Sequence, residues 1–417
     1  MTNLRILAAL SVVAASVALV GCDEDKSEEA PKASAIHFTE ETLALQAGQT
    51  KTLELTVVPN GATVQAVLTT SDETVLKADG MDITAVNPGI ATVTAKAGDL
   101  TAQCTVKVSP EGWTAVEETS NNAAGYYYGN YYMAGTDSFW IYLTTGNTVY
   151  NDGTFSGDGK ALFMELNTTP SEKLQSGTFT VSKDTHEAGT FEQGDDFGVG
   201  GLWGTFIYDN GESLIVDGGT IIVDVEGDIY SISAYVSVAD KQFTFSYNGK
   251  IPVENYAHNY DSYEVIEMKN LSHGTLDFYN HQTYGDTGTD YAGWSVYLAD
   301  ESVDLYEYTG DGQLLYIDLN TASDVRNALP DGTYKVMYSF DKAHFHPFTI
   351  VPGGDEIMYG SGCAINWEPI AKAQIGWAKI ARSGETYNID FKFRDDSAKK
   401  FFQGHYSGPL TYSDYSE

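Results

Sequence analysis

One stretch of text occurs twice in this 417-residue chain, so a single fold must satisfy both occurrences. Gly135-Thr136-Asp137, followed by Trp140-Ile141-Tyr142-Leu143, returns as Gly288-Thr289-Asp290, followed by Trp294-Ser295-Val296-Tyr297-Leu298. Glu165-Leu166-Asn167-Thr168 returns as Asp318-Leu319-Asn320-Thr321, Gly177-Thr178-Phe179-Thr180-Val181 as Gly332-Thr333-Tyr334-Lys335-Val336, and Gly227-Asp228-Ile229-Tyr230 as Gly384-Glu385-Thr386-Tyr387. Tyr247-Asn248-Gly249 closes the first unit and Tyr406-Ser407-Gly408 the second. Order is kept and the spacing drifts by a few residues, so the copies, spanning 123–256 and 271–415, differ mainly in loop length. Apolar and polar residues alternate along short runs broken by Gly-rich turns such as Ser156-Gly157-Asp158-Gly159 and Thr309-Gly310-Asp311-Gly312. That pattern predicts a meander or sandwich of about eight strands per copy. Residues shared by the copies are read as scaffold, so Tyr142, Tyr230, Tyr247 and their partners are expected in the core or at strand-pairing positions. Trp140 and Trp294, which open repeated strands, are likewise expected in the core. Copy-specific residues are the better functional candidates.

Composition agrees with an all-β chain: 41 Gly, 28 Tyr and 18 Phe favour strands and turns. With 23 Lys+Arg against 58 Asp+Glu, the formal net charge is −35. No basic stripe is present to release counterions from a phosphate backbone or to bind anionic lipid, which excludes nucleic acid as a partner. Three cysteines, Cys22, Cys104 and Cys363, are too few for a disulfide framework.

Residues 1–21 hold one charge, Arg5, and an apolar run ending at Gly21-Cys22, which reads as a signal peptide. Leu19-Val20-Gly21-Cys22 resembles the lipobox of bacterial lipoproteins, and the resemblance implies that Cys22 is lipidated and anchors the chain to a membrane. The acidic run Asp23-Glu24-Asp25-Lys26-Ser27-Glu28-Glu29 opens a tether over 22–35 and resembles the surface-export signal of Bacteroidota lipoproteins, which implies an outer-membrane protein facing the cell exterior. Short alternating segments over 36–108 predict a β-sandwich. Ala47-Gly48-Gln49-Thr50, Thr70-Ser71-Asp72-Glu73-Thr74-Val75 and Ala85-Val86-Asn87-Pro88-Gly89-Ile90-Ala91-Thr92-Val93-Thr94-Ala95 resemble the group 2 bacterial Ig-like family, with Leu68 where many members carry a core Trp. The resemblance implies a spacer or adhesive unit without chemistry. Gly89 is expected to supply a tight turn, and Cys104 to be a small buried hydrophobe.

Candidate binding residues are aromatic. In Gly125-Tyr126-Tyr127-Tyr128-Gly129-Asn130-Tyr131-Tyr132, consecutive tyrosines on a strand point to both faces and cannot all enter one core. Tyr126, Tyr127, Tyr128 and Tyr131 are therefore taken as candidates for stacking on sugar rings, and Tyr279 and Tyr284 occupy a similar place in the second copy. Trp203, in a Gly-rich loop whose counterpart around Tyr359 lacks a Trp, and Trp367 complete the set. Asp152, Asp158, Asp195, Asp196 and Asp209 sit in turns that could gather oxygen ligands for calcium, but none shows the spacing of a calcium loop. His344 and His346 share a strand face but have no third metal ligand nearby. No catalytic motif is present, and no cofactor is required. The expectation is a non-enzymatic, lipid-anchored surface protein that binds carbohydrate through aromatics. The alternative is an adhesin or structural surface protein that binds another polypeptide. The multidomain surface lipoproteins of Bacteroidota, glycan-binding ones included, are similar in architecture.

Overall fold

The computed structural model describes residues 31–151, 153–183, 185–196, 202–280, 291–337, 347–354 and 359–416. It is all-β: an Ig-like sandwich followed by two homologous sheet domains. In the first module, Thr42–Gln46, Leu100–Ser109, Gly89–Ala97 and Val67–Thr70 form one sheet, Thr50–Thr52, Asp82–Ala85 and Leu76–Asp79 a second, and Ala35–Phe38 with Leu55–Val58 a two-stranded third. Alternation decides what is buried. Ala91, Val93, Ala95 and Ala97 point inward from one central strand, and Ala102, Cys104, Val106 and Val108 from the next. Leu68 joins this core. Gly89 is not a turn residue: it begins a strand, where an added Cβ would lie 2.5 Å from Val75 Cγ2. The glycine is required by close packing, not by backbone conformation.

Each repeat forms one branched sheet of twelve strands, more than the alternation suggested, and the two sheets have the same topology. The spatial order in the first is Glu117–Thr119, Lys241–Gly249, Ile229–Val238, Gly218–Glu226, Gly177–Ser182, Thr190–Glu192, Lys160–Thr168, Asp137–Thr144, Asn122–Gly129 and Val253–Asn255. In the second it is Glu264–Met268, Lys400–Pro409, Thr386–Asp395, Ile375–Ser383, Gly332–Val336, Thr349–Ile350, Gln313–Ala322, Tyr291–Asp300, Leu271–Asn280 and Thr411–Asp414. A hairpin branches from the same strand in each, Phe206–Asp209 with Glu212–Ile215 in one and Gly362–Ile365 with Glu368–Lys372 in the other. The outermost strands Glu117–Thr119 and Glu264–Met268 lie before the bounds 123–256 and 271–415 expected for the repeats. In each repeat the two halves of the sheet close over one core, which in the first joins Phe139, Ile141 and Leu166 to Phe179, Ile221 and Phe245.

The shared motifs perform the same task in both copies. The hydroxyl of Tyr247 donates to Lys250 O at 2.7 Å and that of Tyr406 to Pro409 O at 2.6 Å. Gly249 and Gly408 lie under these rings, where a Cβ would sit 2.7 Å from the hydroxyl in each case. Of the other shared tyrosines, Tyr387 is buried and Tyr230 packs on the core edge, whereas Tyr142 lies on the outer face.

Gly204 (φ 66°) and Gly360 (φ 74°) are also equivalent, and an added Cβ would meet Gln193 O at 2.1 Å and Pro352 O at 1.9 Å. Gly384 shares the left-handed backbone (φ 64°) but opens onto free space. We expect Gly384→Ala to cost about 1 kcal/mol, the conformational penalty alone. Gly360→Ala should cost about 3 kcal/mol or more, because a backbone clash is added. Denaturant titration of the two variants checks this, and equal losses would remove the steric argument.

Candidate functional site

The site is built on three neighbouring strands of the first repeat, Asn122–Gly129, Asp137–Thr144 and Lys160–Thr168, and on the hairpin Phe206–Asp209/Glu212–Ile215. Their register places Tyr126, Trp140 and Glu165 in one outward row. Tyr142, Phe163 and Phe206 make a second row, and Tyr208 with Ser213 extends a third. A short ribbon, Val149–Asn151 with Thr154–Ser156, lays Tyr150 and Phe155 over this face: Tyr150 is 4.8 Å from Tyr142, and Phe155 is 5.9 Å from Tyr208. Phe163 and Phe206 stack at 5.0 Å, and Trp203 meets Trp140 edge-on at 5.3 Å. Rings at these separations and tilts have favourable quadrupolar contacts.

The result is an open groove of about 1200 Å³, its mouth included, walled by Trp140, Phe155, Phe163, Trp203, Phe206 and Tyr208 with Glu165 at its base. Its lining contains no Lys, Arg or His. Trp140 Nε1 is buried and has no hydrogen-bond acceptor among the described residues.

Beneath the groove lies a polar cluster. The Tyr132 hydroxyl donates to Glu165 Oε1, and the Tyr132 ring stacks on His186 at 3.7 Å with 4° between the planes. Glu192 Oε1 accepts from Asn167 Nδ2 at 2.7 Å and from the His186 backbone N–H at 3.3 Å, and lies 2.9 Å from His186 Nδ1. Buried carboxylates need such partners, since an unpaired one would carry a desolvation penalty of several kcal/mol. Glu165, Glu192 and His186 were not singled out from the sequence, because a lone acid or His carries no local pattern. The comparison of copies holds the signal. Strand pairing makes Val351 the counterpart of Glu192 and Met337 that of Ser182, so polar residues in the first copy face apolar ones in the second.

Several expectations are corrected. Tyr127 is 8 % exposed, packs on Phe139 in the core and donates to Asp137 Oδ2 at 2.8 Å, so it does not reach the groove. Tyr126 and Tyr128 face outward, as alternation requires, and Tyr128 lies 4.4 Å from Trp140. Tyr131 is engaged at the junction with the second repeat, where Arg394 Nη1 donates to its carbonyl at 2.9 Å. Trp140 is not a core residue. Pairing across the sheet makes Phe139, not Trp140, the counterpart of the fully buried Trp294, and aligning the two tryptophans is one residue out of register.

In the second copy the outward rows keep two rings, Tyr297 and Tyr316 at the places of Tyr142 and Phe163, and lose four. Asp277, Ser295, Gly362 and Ala364 stand where Tyr126, Trp140, Phe206 and Tyr208 stand in the first. Burial pushes the Asp277 carboxyl up to about 6. Trp367 packs beside Tyr308 at 5.5 Å on a small cluster formed by Val303, Leu314 and Tyr316. Tyr279 stacks on Tyr415 at 5.4 Å. Cys22, Asp152, Tyr284, His344 and His346 lie outside the described residues. Among the described residues, no group of three or more His, Cys, Asp or Glu is placed to hold a metal ion.

No protein-family model matches the chain, and no curated protein matches it. Among solved structures, domains 5–6 of the S-layer protein SbsC are similar at 12% identity and a TM-score of 0.17, over 52% of this chain and 95% of that one. Domains 4–9 of the same protein give 10% identity and 0.18, over 91% and 82%. A three-Ig fragment of titin, I67–I69, gives 10% and 0.14, over 91% and 98%. At such TM-scores the likeness carries no argument. The class is given by the strands themselves, an all-β chain of one Ig-like module and two repeat domains.

Two predictions follow from the site's packing. Trp294→Ala should destabilise the protein by about 3–5 kcal/mol, as loss of a fully buried aromatic does, whereas Trp140→Ala should cost well under that. Equal losses in denaturant titrations would contradict the register drawn above. The second concerns alkali. Desolvation, helped by the neighbouring Tyr142 for Tyr126 and Tyr150 for Tyr128, pushes both phenols up to about 12. A folded-state value above the unfolded one, near 10, gives stability that is complete below about pH 10 and lost as pH rises through 12. Absorbance titration at alkaline pH should therefore show a late-ionising fraction of the 28 tyrosines, reduced in the Tyr126→Phe/Tyr128→Phe double variant. A single midpoint near the ordinary value with the fold intact would refute this.

Proposed function

We propose that this chain is a lipid-anchored, surface-exposed, non-catalytic binding protein whose ligand is a neutral carbohydrate, held in the aromatic groove of the first repeat. One observation carries the reading: the outward rows of the first repeat present rings along an open groove, while four of the same positions in the second, those of Tyr126, Trp140, Phe206 and Tyr208, hold Asp277, Ser295, Gly362 and Ala364. The fold does not need those four rings, since the second copy forms without them. Flat apolar surfaces beside a carboxylate and hydroxyls suit the two faces of a sugar, its C–H face stacking on a ring and its hydroxyls reaching Glu165, Ser213 and Thr154. A net charge of −35 and a lining without cations disfavour acidic glycans. In this reading Cys22 supplies the anchor, and the Ig-like module lifts the repeats off the membrane.

Native electrophoresis of the chain through gels containing xyloglucan, mixed-linkage β-glucan, galactomannan or starch, with and without calcium, tests the proposal. One polysaccharide should retard the protein, and Trp203→Ala or Phe155→Ala should weaken retention about tenfold or more, roughly 1.4 kcal/mol. No retardation by any of the four would move the assignment to the polypeptide-binding alternative.

A further inference from the structure

The groove of the first repeat is tied to the second repeat through one loop. Residues Asn130–Thr136 leave the Tyr-rich strand and carry Tyr132, whose hydroxyl bonds the Glu165 carboxylate at the base of the groove and whose ring stands edge-on to Trp203 at 6.3 Å. Within the first repeat, Thr136 Oγ1 donates to His186 O at 2.6 Å and Gly135 N to Asn130 Oδ1 at 3.2 Å. The other domain adds two hydrogen bonds. Trp377 Nε1 donates to Met133 O at 3.2 Å, and Arg394 Nη1 to Tyr131 O at 2.9 Å.

Arg394 is built for this contact. It is fully buried, and its guanidinium lies between the rings of Tyr131 and Tyr260, 5.1 and 4.4 Å from their centroids. Its Nε is 2.8 Å from Asp396 Oδ1 and its Nη2 donates to Asp396 Oδ2 at 3.2 Å, an ion pair that Tyr263 supports by donating to Asp396 Oδ1 at 3.1 Å. The counterpart of Arg394 in the first repeat, from strand pairing, is Ser237, so the repeat fold does not require an arginine here. A narrow cleft at the junction is lined by Tyr132, His186 and Trp203 on one side and Lys335, Gln374 and Ile375 on the other. Trp203 thus belongs both to this cleft and to the groove wall.

We propose that the groove is a two-repeat site, in which Arg394 acts as a positioning residue: it clamps the loop Asn130–Thr136 so that Tyr132 and Trp203 hold the groove in its binding shape. The second repeat touches no ligand in this scheme, yet the affinity of the first depends on it. The proposal rests on the carbohydrate reading for its ligand arm only.

The test uses the full chain and two readouts. In the first, hydrogen exchange without ligand is compared between parent, Arg394→Ala, Arg394→Lys and Trp377→Phe. Peptides covering 130–136 and 202–206 should exchange about tenfold faster in Arg394→Ala, with a partial effect in Arg394→Lys and Trp377→Phe, while Asp137–Thr144 stays protected. In the second, retention in the same polysaccharide gels should fall about tenfold in Arg394→Ala, although the residue lies outside the groove. Faster exchange at 130–136 alone, with 202–206 and retention unchanged, would reduce Arg394 to interdomain glue and overturn the proposal. Should Arg394→Ala not fold, Trp377→Phe decides between the same outcomes. If no polysaccharide retards the parent, the carbohydrate reading fails, and the exchange pattern alone decides whether the clamp shapes the groove.

Discussion

Everything distinctive in this protein depends on three antiparallel strands that must satisfy two faces at once. A strand turns successive side chains to opposite sides, so in Asn122–Gly129, Asp137–Thr144 and Lys160–Thr168 every inward apolar residue fixes an outward one. Phe139, Ile141 and Leu143 go to the core, which sends Trp140 and Tyr142 out. Leu162, Met164 and Leu166 go in, which sends Phe163 and Glu165 out. The groove is therefore a consequence of the register that makes the core. A slip of one residue would bury the aromatic rows and expose the aliphatic ones. The strands have no freedom to move the groove without losing the fold.

Much of this was legible in the text. The repeat, the strand periodicity, the buried Cys104 and the fact that some of the consecutive tyrosines must face out all follow from alternation and from the comparison of the copies. The tryptophans show where reading stops. Trp140 and Trp294 look equivalent because each follows a Gly-Thr-Asp, yet their strand partners are Glu165 and Leu319, one outward and one inward. Text alignment tolerates a one-residue error that a period of two does not. Tyr127 was misassigned for a related reason: its neighbours Tyr126 and Tyr128 do face out, and only the register says which of the three goes in. Tyr131 was beyond reach altogether, because its partner Arg394 is 263 residues away.

The buried polar residues explain why the first copy, and not the second, carries the site. Asn167 and Asn320 are both buried and donate to a threonine hydroxyl, Thr190 at 3.1 Å and Thr349 at 2.9 Å, so this bond belongs to the scaffold. Two residues further along the chain, Glu192 in the first copy is replaced by Val351 in the second. Replacing a satisfied buried charge by a well-packed aliphatic is often neutral or stabilising, so the second copy has the easier solution. Retention of Glu192, with His186, Asn167 and the nearby Tyr132–Glu165 bond, is then not explained by the needs of the fold. It is explained if Tyr132 and Glu165 must be held at fixed positions beneath the groove. A polar network specifies geometry more narrowly than an aliphatic contact does, because hydrogen bonds weaken steeply off axis and packing contacts do not. The first repeat thus accepts buried polar residues on the same outward face of its sheet that presents the aromatic rings. The two features sit side by side on one face of the same strands, Asn167 two residues from Glu165, which is the arrangement expected when one exists to support the other.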